Sequence, residues 1–228
     1  LAAALTPEHL CECAISDPRD GHFELTVVAY DYFAEFATIC GLLSAFGLNI
    51  EEGQIYTFAD APAGPSAKPG YGQGPRQRAK LRPGLSRKKI VDIFRVRPVG
   101  DASFTPEDQA RFTAELRTLV GLLDEGQFED ARHAVNRLLV EYLGKRRGSF
   151  SGLLHPVQIA FDNSQSPTDT IMDIRSDDTP AFLYAFANAL AMRNVYISQA
   201  RIDLEGGKLH DRFAVRNRYG QKLTDQAE

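Results

Sequence analysis

Long apolar runs are missing from this chain of 228 residues; none approaches the roughly 18 that a membrane span requires. An excess of positive charge is missing too. The formal net charge is -4, so the chain as a whole has no attraction to nucleic acid or to a membrane surface. Residues 1–15 lack the basic start and long apolar core of a secretory leader. Cysteine is scarce: Cys11 and Cys13 stand closer than zinc ligands usually do, no second pair follows, and Cys40 is isolated. Such usage fits reduced thiols in a cytoplasmic protein. His9, His22, His133, His155 and His210 are scattered, so no His–Asp metal cluster forms in sequence. A Gly-Ser element followed by spaced aspartates for two metals is absent, as is Gly-x-Ser-x-Gly. The glycine-rich run at 70–74 lacks the Lys-Ser or Lys-Thr of a phosphate-cradling loop. No catalytic residue, metal or cofactor is therefore expected in this chain. It does not open on Met and reads as a piece of something longer.

What is present is a succession of short, clearly punctuated elements. Thr6-Pro7-Glu8 carries a capping residue, a first-turn proline and an acid, and predicts a leading helix that fades by Ser16-Asp17-Pro18. Phe23 to Tyr30 alternates as a strand should. A helix over 33–46 follows, with Phe33, Phe36, Ala37, Cys40 and Leu43 on one face, and Gly47 stops it. Leu48 to Phe58 and Ile90 to Val96 read as strands. Between them, 59–88 holds five prolines and seven basic residues. It reads as a solvated hairpin insertion, or more sharply as a site for an acidic partner or a phosphate. Thr105 and Pro106 open a helical hairpin over 105–143, and the basic cluster after it reads as a charge match to the helix end. Strands are expected at 157–161, 170–175, 195–204 and 209–215, with a helix over 180–193. Gly206-Gly207 makes the tight turn of the last hairpin.

A repeat organises these elements. Asp31, Ala34, Phe36, Leu48, Ile50 and Ile55 match Asp178, Ala181, Leu183, Val195, Ile197 and Ile202 at one constant offset. Asp92, Phe94 and Val96 match Asp211, Phe213 and Val215 at a shorter one, and the difference places the basic segment as an insertion in the first copy. The predicted fold class is α+β: tandem ferredoxin-like (βαββαβ) units with an added helical segment, the second copy incomplete. The expected division is a leading helix and linker over 1–18, a first unit over 19–163 that ends on the strand at 157–161, and a truncated second unit over 168–228. An open sheet face would receive a second copy or another subunit.

The turn Asp178-Thr179-Pro180-Ala181-Phe182-Leu183-Tyr184 resembles a variant of the Asp-Arg-Pro-Gly-Leu-Leu-Tyr motif of ACT domains, and Val195-Tyr196-Ile197 and Asp211-Arg212-Phe213-Ala214-Val215 continue the pattern. Nearly the whole chain resembles the C-terminal ACT pair of the bifunctional uridylyltransferase/uridylyl-removing enzymes. The resemblance implies a regulatory module that senses an amino acid, glutamine by implication, for a catalytic nucleotidyltransferase domain acting on the nitrogen-signal protein PII. It also implies a homodimer through the sheets as an option. The implied ligand residues are Asp178, Thr179, Pro180, Ala181 and Phe182, with Val195 and Ile197 opposite, and in the first copy Asp31, Phe33 and Ala34 with Asn49. Alanine replaces the motif's turn glycine at both Ala34 and Ala181, which narrows the site. Two readings compete: a module of a glutamine synthetase adenylyltransferase, and a ligand-free interaction module in which Asp31 and Asp178 only cap helices. Asp92 and Asp211 read as polar positions on an exposed strand face, with a ligand-facing role as the alternative.

Overall fold

In the computed structural model, residues 5–6, 8–58, 88–100, 103–145, 156–179 and 181–224 are described. The elements run β1 (Cys11–Ile15), β2 (Phe23–Tyr30), α1 (Glu35–Ala45), β3 (Leu48–Phe58), β4 (Lys89–Pro98), α2 (Pro106–Asp124), α3 (Phe128–Lys145), β5 (Gln158–Asp162), β6 (Thr170–Asp177), α4 (Phe182–Met192), β7 (Tyr196–Glu205) and β8 (Lys208–Arg216). All strands join one antiparallel sheet of eight, ordered β1-β2-β4-β3-β7-β8-β6-β5. The fold is thus α+β, compatible with tandem ferredoxin-like units. Read from either edge, the order is the same: edge strand, first strand, third strand, second strand.

Several local signals act as the sequence suggests. Thr105 caps α2 in a reciprocal box, accepting from the Asp108 amide while the Asp108 side chain accepts from Thr105 N, with Pro106 in the first turn. Gly206 and Gly207 both adopt positive φ, as a two-residue hairpin turn matching strand twist demands. The repeat extends to defects: β3 is bulged between Ile50 and Glu52, and β7 at the matching residues Ile197 and Gln199.

Other expectations are corrected. Residues 11–15 form a strand, not the tail of a helix: Cys11, Cys13 and Ile15 alternate with Glu12 and Ala14, and the stretch pairs antiparallel with β2. β5 pairs with β6 at the far end of the sheet, so it extends the second unit instead of closing the first. Each unit is thus led by its edge strand. The units meet edge to edge, through β3 and β7, and not face to face. Gln54 and Arg201, which occupy the same place in the repeat, are paired there, so a pseudo-two-fold axis passes between them. The basic segment 59–87 and the cluster at 146–148 lie outside the described residues.

The helices pack on one face of the sheet. Phe23, Leu25, Val27 and Ala29 of β2 and Ile90, Phe94 and Val96 of β4 point into this core. The opposite face carries ion pairs such as Arg95–Glu52 and Arg212–Asp173, at 2.7 and 2.6 Å. The helix α1 is buried all along Glu35 to Leu43, not on one stripe, because α3 and α4 flank it above the sheet. Gly41 permits this: a Cβ there would lie 2.4 Å from Val135 Cγ1 and 2.7 Å from Tyr184 Cδ2. No helix among the described residues is long and apolar enough to cross a membrane.

Gly41→Ala separates propensity from packing. Alanine favours an isolated helix by about 1 kcal/mol, but overpacking a tight crossing costs about 1–3 kcal/mol. Chemical denaturation should show the variant less stable than the parent.

Candidate ligand site between the two units

The seam brings the turn after the first strand of one unit against the second strand of the other. At one end, the turn from Asp178 to Phe182 faces the start of β3. Asn49 Nδ2 donates to Asp178 Oδ2 at 2.7 Å across this boundary. Asp178, Thr179, Ala181, Phe182, Asn49, Leu48 and Ile50 line a cavity of about 50 Å³, together with Leu139 and Tyr142 of α3. At the other end, Asp31 of the first unit faces Ile197, Ser198 and Gln199 of β7, with Lys88, Arg216 and Arg218 around a cleft of about 520 Å³.

The expected site residues are therefore exchanged between units. Asn49 belongs with Asp178, not with Asp31, and Ile197 belongs with Asp31, not with Asp178. Val195 is buried in the core. Phe33 and Ala34 line a separate cavity between helices. Pro180 lies outside the described residues. The exchange follows from antiparallel edge pairing, which a list of one chain's matching positions does not contain. The two ends also differ in chemistry. Tyr196 stands where the first copy has Asn49, and its ring lies 4.9 Å from that of Phe33, so an amide–carboxylate contact at one end is an aromatic contact at the other.

Both turns keep the glycine conformation without glycine. Ala34 and Ala181 are the N-caps of α1 and α4 with φ of 62° and 59°, and neither offers a side-chain cap. A non-glycine residue held left-handed costs on the order of 1 kcal/mol or more and persists only where its surroundings enforce it. Asp31 and Asp178 do not cap these helices. Their amides donate instead to Lys88 O and Gly207 O, at 3.0 and 3.1 Å, tying each turn to its hairpin. The Phe182 amide donates to Thr179 O at 3.1 Å, and among the described residues no side chain accepts from the remaining first-turn amides of α4, an arrangement suited to an anion.

Four acids give the region its electrostatics. Burial pushes the Asp178 carboxyl above its usual range, and the Asn49 bond opposes this. Asp92 and Asp211 are not on an exposed face: both are 1 % exposed, on the helix side of the sheet. Burial raises Asp92 well above the carboxylate range, with Asp31 adding to it. Burial, then Asp92, does the same to Glu35. Burial lifts Asp211 to about 7 even though Asp203 N donates to it at 3.3 Å. Asp92 Oδ1, Asp211 Oδ2 and Glu35 Oε1 have no hydrogen-bond partner among the described residues. Among those residues no group of three metal-ligating side chains could hold an ion.

Comparison with known proteins places the chain beside one group of enzymes. It is 26% identical over 215 residues to a bifunctional uridylyltransferase/uridylyl-removing enzyme of Rhodospirillum rubrum, covering 94% of this chain and 19% of that protein. The enzymes of the same description from Ruegeria pomeroyi and Azospirillum brasilense are 28% and 24% identical over 198 and 205 residues, covering 87% and 89% of this chain. The chain spans 18–19% of the length of these relatives, so it is similar over most of its own length to one part of them. No protein-family model matches the chain, and no solved structure matches it significantly.

Asp211 makes stability pH-dependent. The unfolded carboxyl ionises near 3.8 and the folded one near 7. Between these values the folded state binds more protons, so stability falls as pH rises. Asp211→Asn should remove about one proton from this slope, about 1.4 kcal/mol per pH unit, and be more stable than the parent above pH 7. Denaturation midpoints measured from pH 4 to 8 check this; an unchanged slope would show that Asp211 ionises normally in the fold.

Proposed function

We propose that this chain is a tandem ACT-type module that senses glutamine and regulates a nucleotidyltransferase whose target is the nitrogen-signal protein PII. The similarity to one part of the uridylyltransferase/uridylyl-removing enzymes supports the parent activity. The observation that carries the sensing role is the Asn49–Asp178 hydrogen bond. It joins the two units at the point where the uncapped start of α4 offers amides to a carboxylate and Asp178 offers an acceptor to an ammonium group.

The cavity of about 50 Å³ holds a few waters and is smaller than glutamine. A bound glutamine therefore requires the lining to give way, with the ligand taking over the Asn49–Asp178 contact and Leu139 and Tyr142 of α3 repacking around it. That requirement links the site to α3, and through α3 to the helical layer. A ligand shifts such an equilibrium only by its differential affinity for the open and closed arrangements. The small cavity and the two strained alanines equally favour a second reading, a ligand-free interaction module.

Calorimetric titration with glutamine separates the two. The sensing reading predicts binding in the millimolar range or tighter, weakened about tenfold or more, as losing a hydrogen bond to a charged group implies, by Asp178→Ala and by Asn49→Ala. No heat and no thermal stabilisation at millimolar glutamine would leave the interaction module standing. Binding that survives both substitutions would move the site elsewhere.

A further inference from the structure

The cavity that contains Phe33 and Ala34 belongs to neither end of the seam. It has about 270 Å³ of room and lies between the start of α1, the first turns of α3 and the end of α4. Val135 and Tyr184, which close against Gly41, line it together with Phe33, Phe128, Ala37 and Ala191. Its walls are thus mostly apolar and aromatic, and its volume lies just under the usual lower limit for small-molecule sites, about 300 Å³.

Tyr184 and Thr38 donate to Asn136 Oδ1 and Ala34 O, at 2.6 and 2.9 Å, but two other polar groups of the lining are donors with poor acceptors. Arg132 Nη1 and Asn188 Nδ2 both point at the Met192 sulfur, at 3.6 and 3.9 Å. A thioether is a weak acceptor. Arg132 Nε is buried and has no partner among the described residues. Glu129 neutralises the guanidinium from its Nη2 side, but its own side chain is 54% exposed, and such a pair contributes little. Arg132 Nε is the buried donor left without a strong acceptor, which is costly; Arg132 Nη1 and the Asn188 amide lie at the exposed mouth of the cavity, where Met192 is 63% exposed. The group that satisfies a guanidinium edge and an amide together is a carboxylate. The lining offers nothing comparable for a cation apart from Glu129, which Arg132 already holds.

We infer that this interhelical cavity is a second small-molecule site, for a monocarboxylate with a compact apolar body. The carboxylate sits at Arg132 and Asn188 in place of the Met192 sulfur, and the body lies against Phe33, Phe128 and Ala191. The site does not depend on glutamine binding at the seam.

The probe is isocaproate, added to the whole chain with the methionine methyl groups labelled for NMR. Of the two methionines, the Met192 signal should move and that of Met172, buried on β6, should stay. Calorimetry should show binding at millimolar concentration, about tenfold weaker for acetate and for isohexanol, which lack the body and the charge respectively. Arg132→Met and Asn188→Leu should each weaken it by at least a similar factor, while Asp178→Ala leaves it unchanged. Circular dichroism establishes that each variant is folded, and Asn188→Leu decides alone if Arg132→Met is not. A static Met192 signal, equal binding of isohexanol, or undiminished binding in the folded variants overturns the assignment.

Discussion

The antiparallel ladder between β3 and β7 is the interaction on which the rest depends. It turns two four-stranded sheets into one of eight, and its register places Gln54 opposite Arg201 on the pseudo-two-fold axis. Backbone pairing of this kind satisfies two strand edges that would otherwise invite association. Close approach is secured by Gly53, where a Cβ would fall 2.9 Å from Ile202 Cγ1 and 3.3 Å from Phe94 Cδ1. With the register set, the turn at Asp178 has no choice of neighbour: it lies against the start of β3. α1 in turn lies above the centre of the sheet, beside α4, with Phe36 stacked on Phe94 of one unit and meeting Phe213 of the other edge-on.

Around this frame, two kinds of departure from local rules occur in matched pairs. Ala34 and Ala181 hold a conformation that favours glycine. Asp92 and Asp211 sit within the apolar layer, each with an oxygen that no described residue satisfies. Such departures from consistency are expected at functional or strained sites. Their repetition in both units shows that the backbone path, and not one accidental contact, imposes them. The difference between the ends lies in what fills them. Leu139 and Tyr142 of α3 line the Asp178 end, while the second unit has no counterpart of α2 and α3 among the described residues, and the Asp31 end is the roomier.

Much of this is written locally. The Thr105–Pro106 start, the paired glycines after Glu205 and the offset matching of Asp31 with Asp178 depend on neighbours in sequence, and the structure reproduces them. The burial of Asp92 and Asp211 is legible in their phase, although their residue type suggests an exposed face. Each shares the parity of its strand's apolar residues, Asp92 with Ile90, Phe94 and Val96, and Asp211 with Leu209, Phe213 and Val215, and phase outweighs residue type in deciding which face a strand residue takes. The alternation of Cys11, Cys13 and Ile15 was likewise present, masked by the capping signals before it. Strand partners are a different matter. That Asn49 crosses to Asp178 follows from tertiary pairing, which no short window of sequence encodes, whereas β5 and β6 are neighbours in sequence and pair as a hairpin across the turn between Asp162 and Thr170. The donors around Met192 could not be anticipated, since they come from α3 and α4 and meet only through packing.

The seam can be tested without any ligand. In native-state hydrogen exchange, the amides of residues 52–56 and 199–203 that donate across the ladder should open only with global unfolding, with a free energy equal to that of the β2–β4 pair within the first unit. Exchange at the seam through a much smaller opening, while β2 and β4 remain protected, would contradict a single eight-stranded sheet.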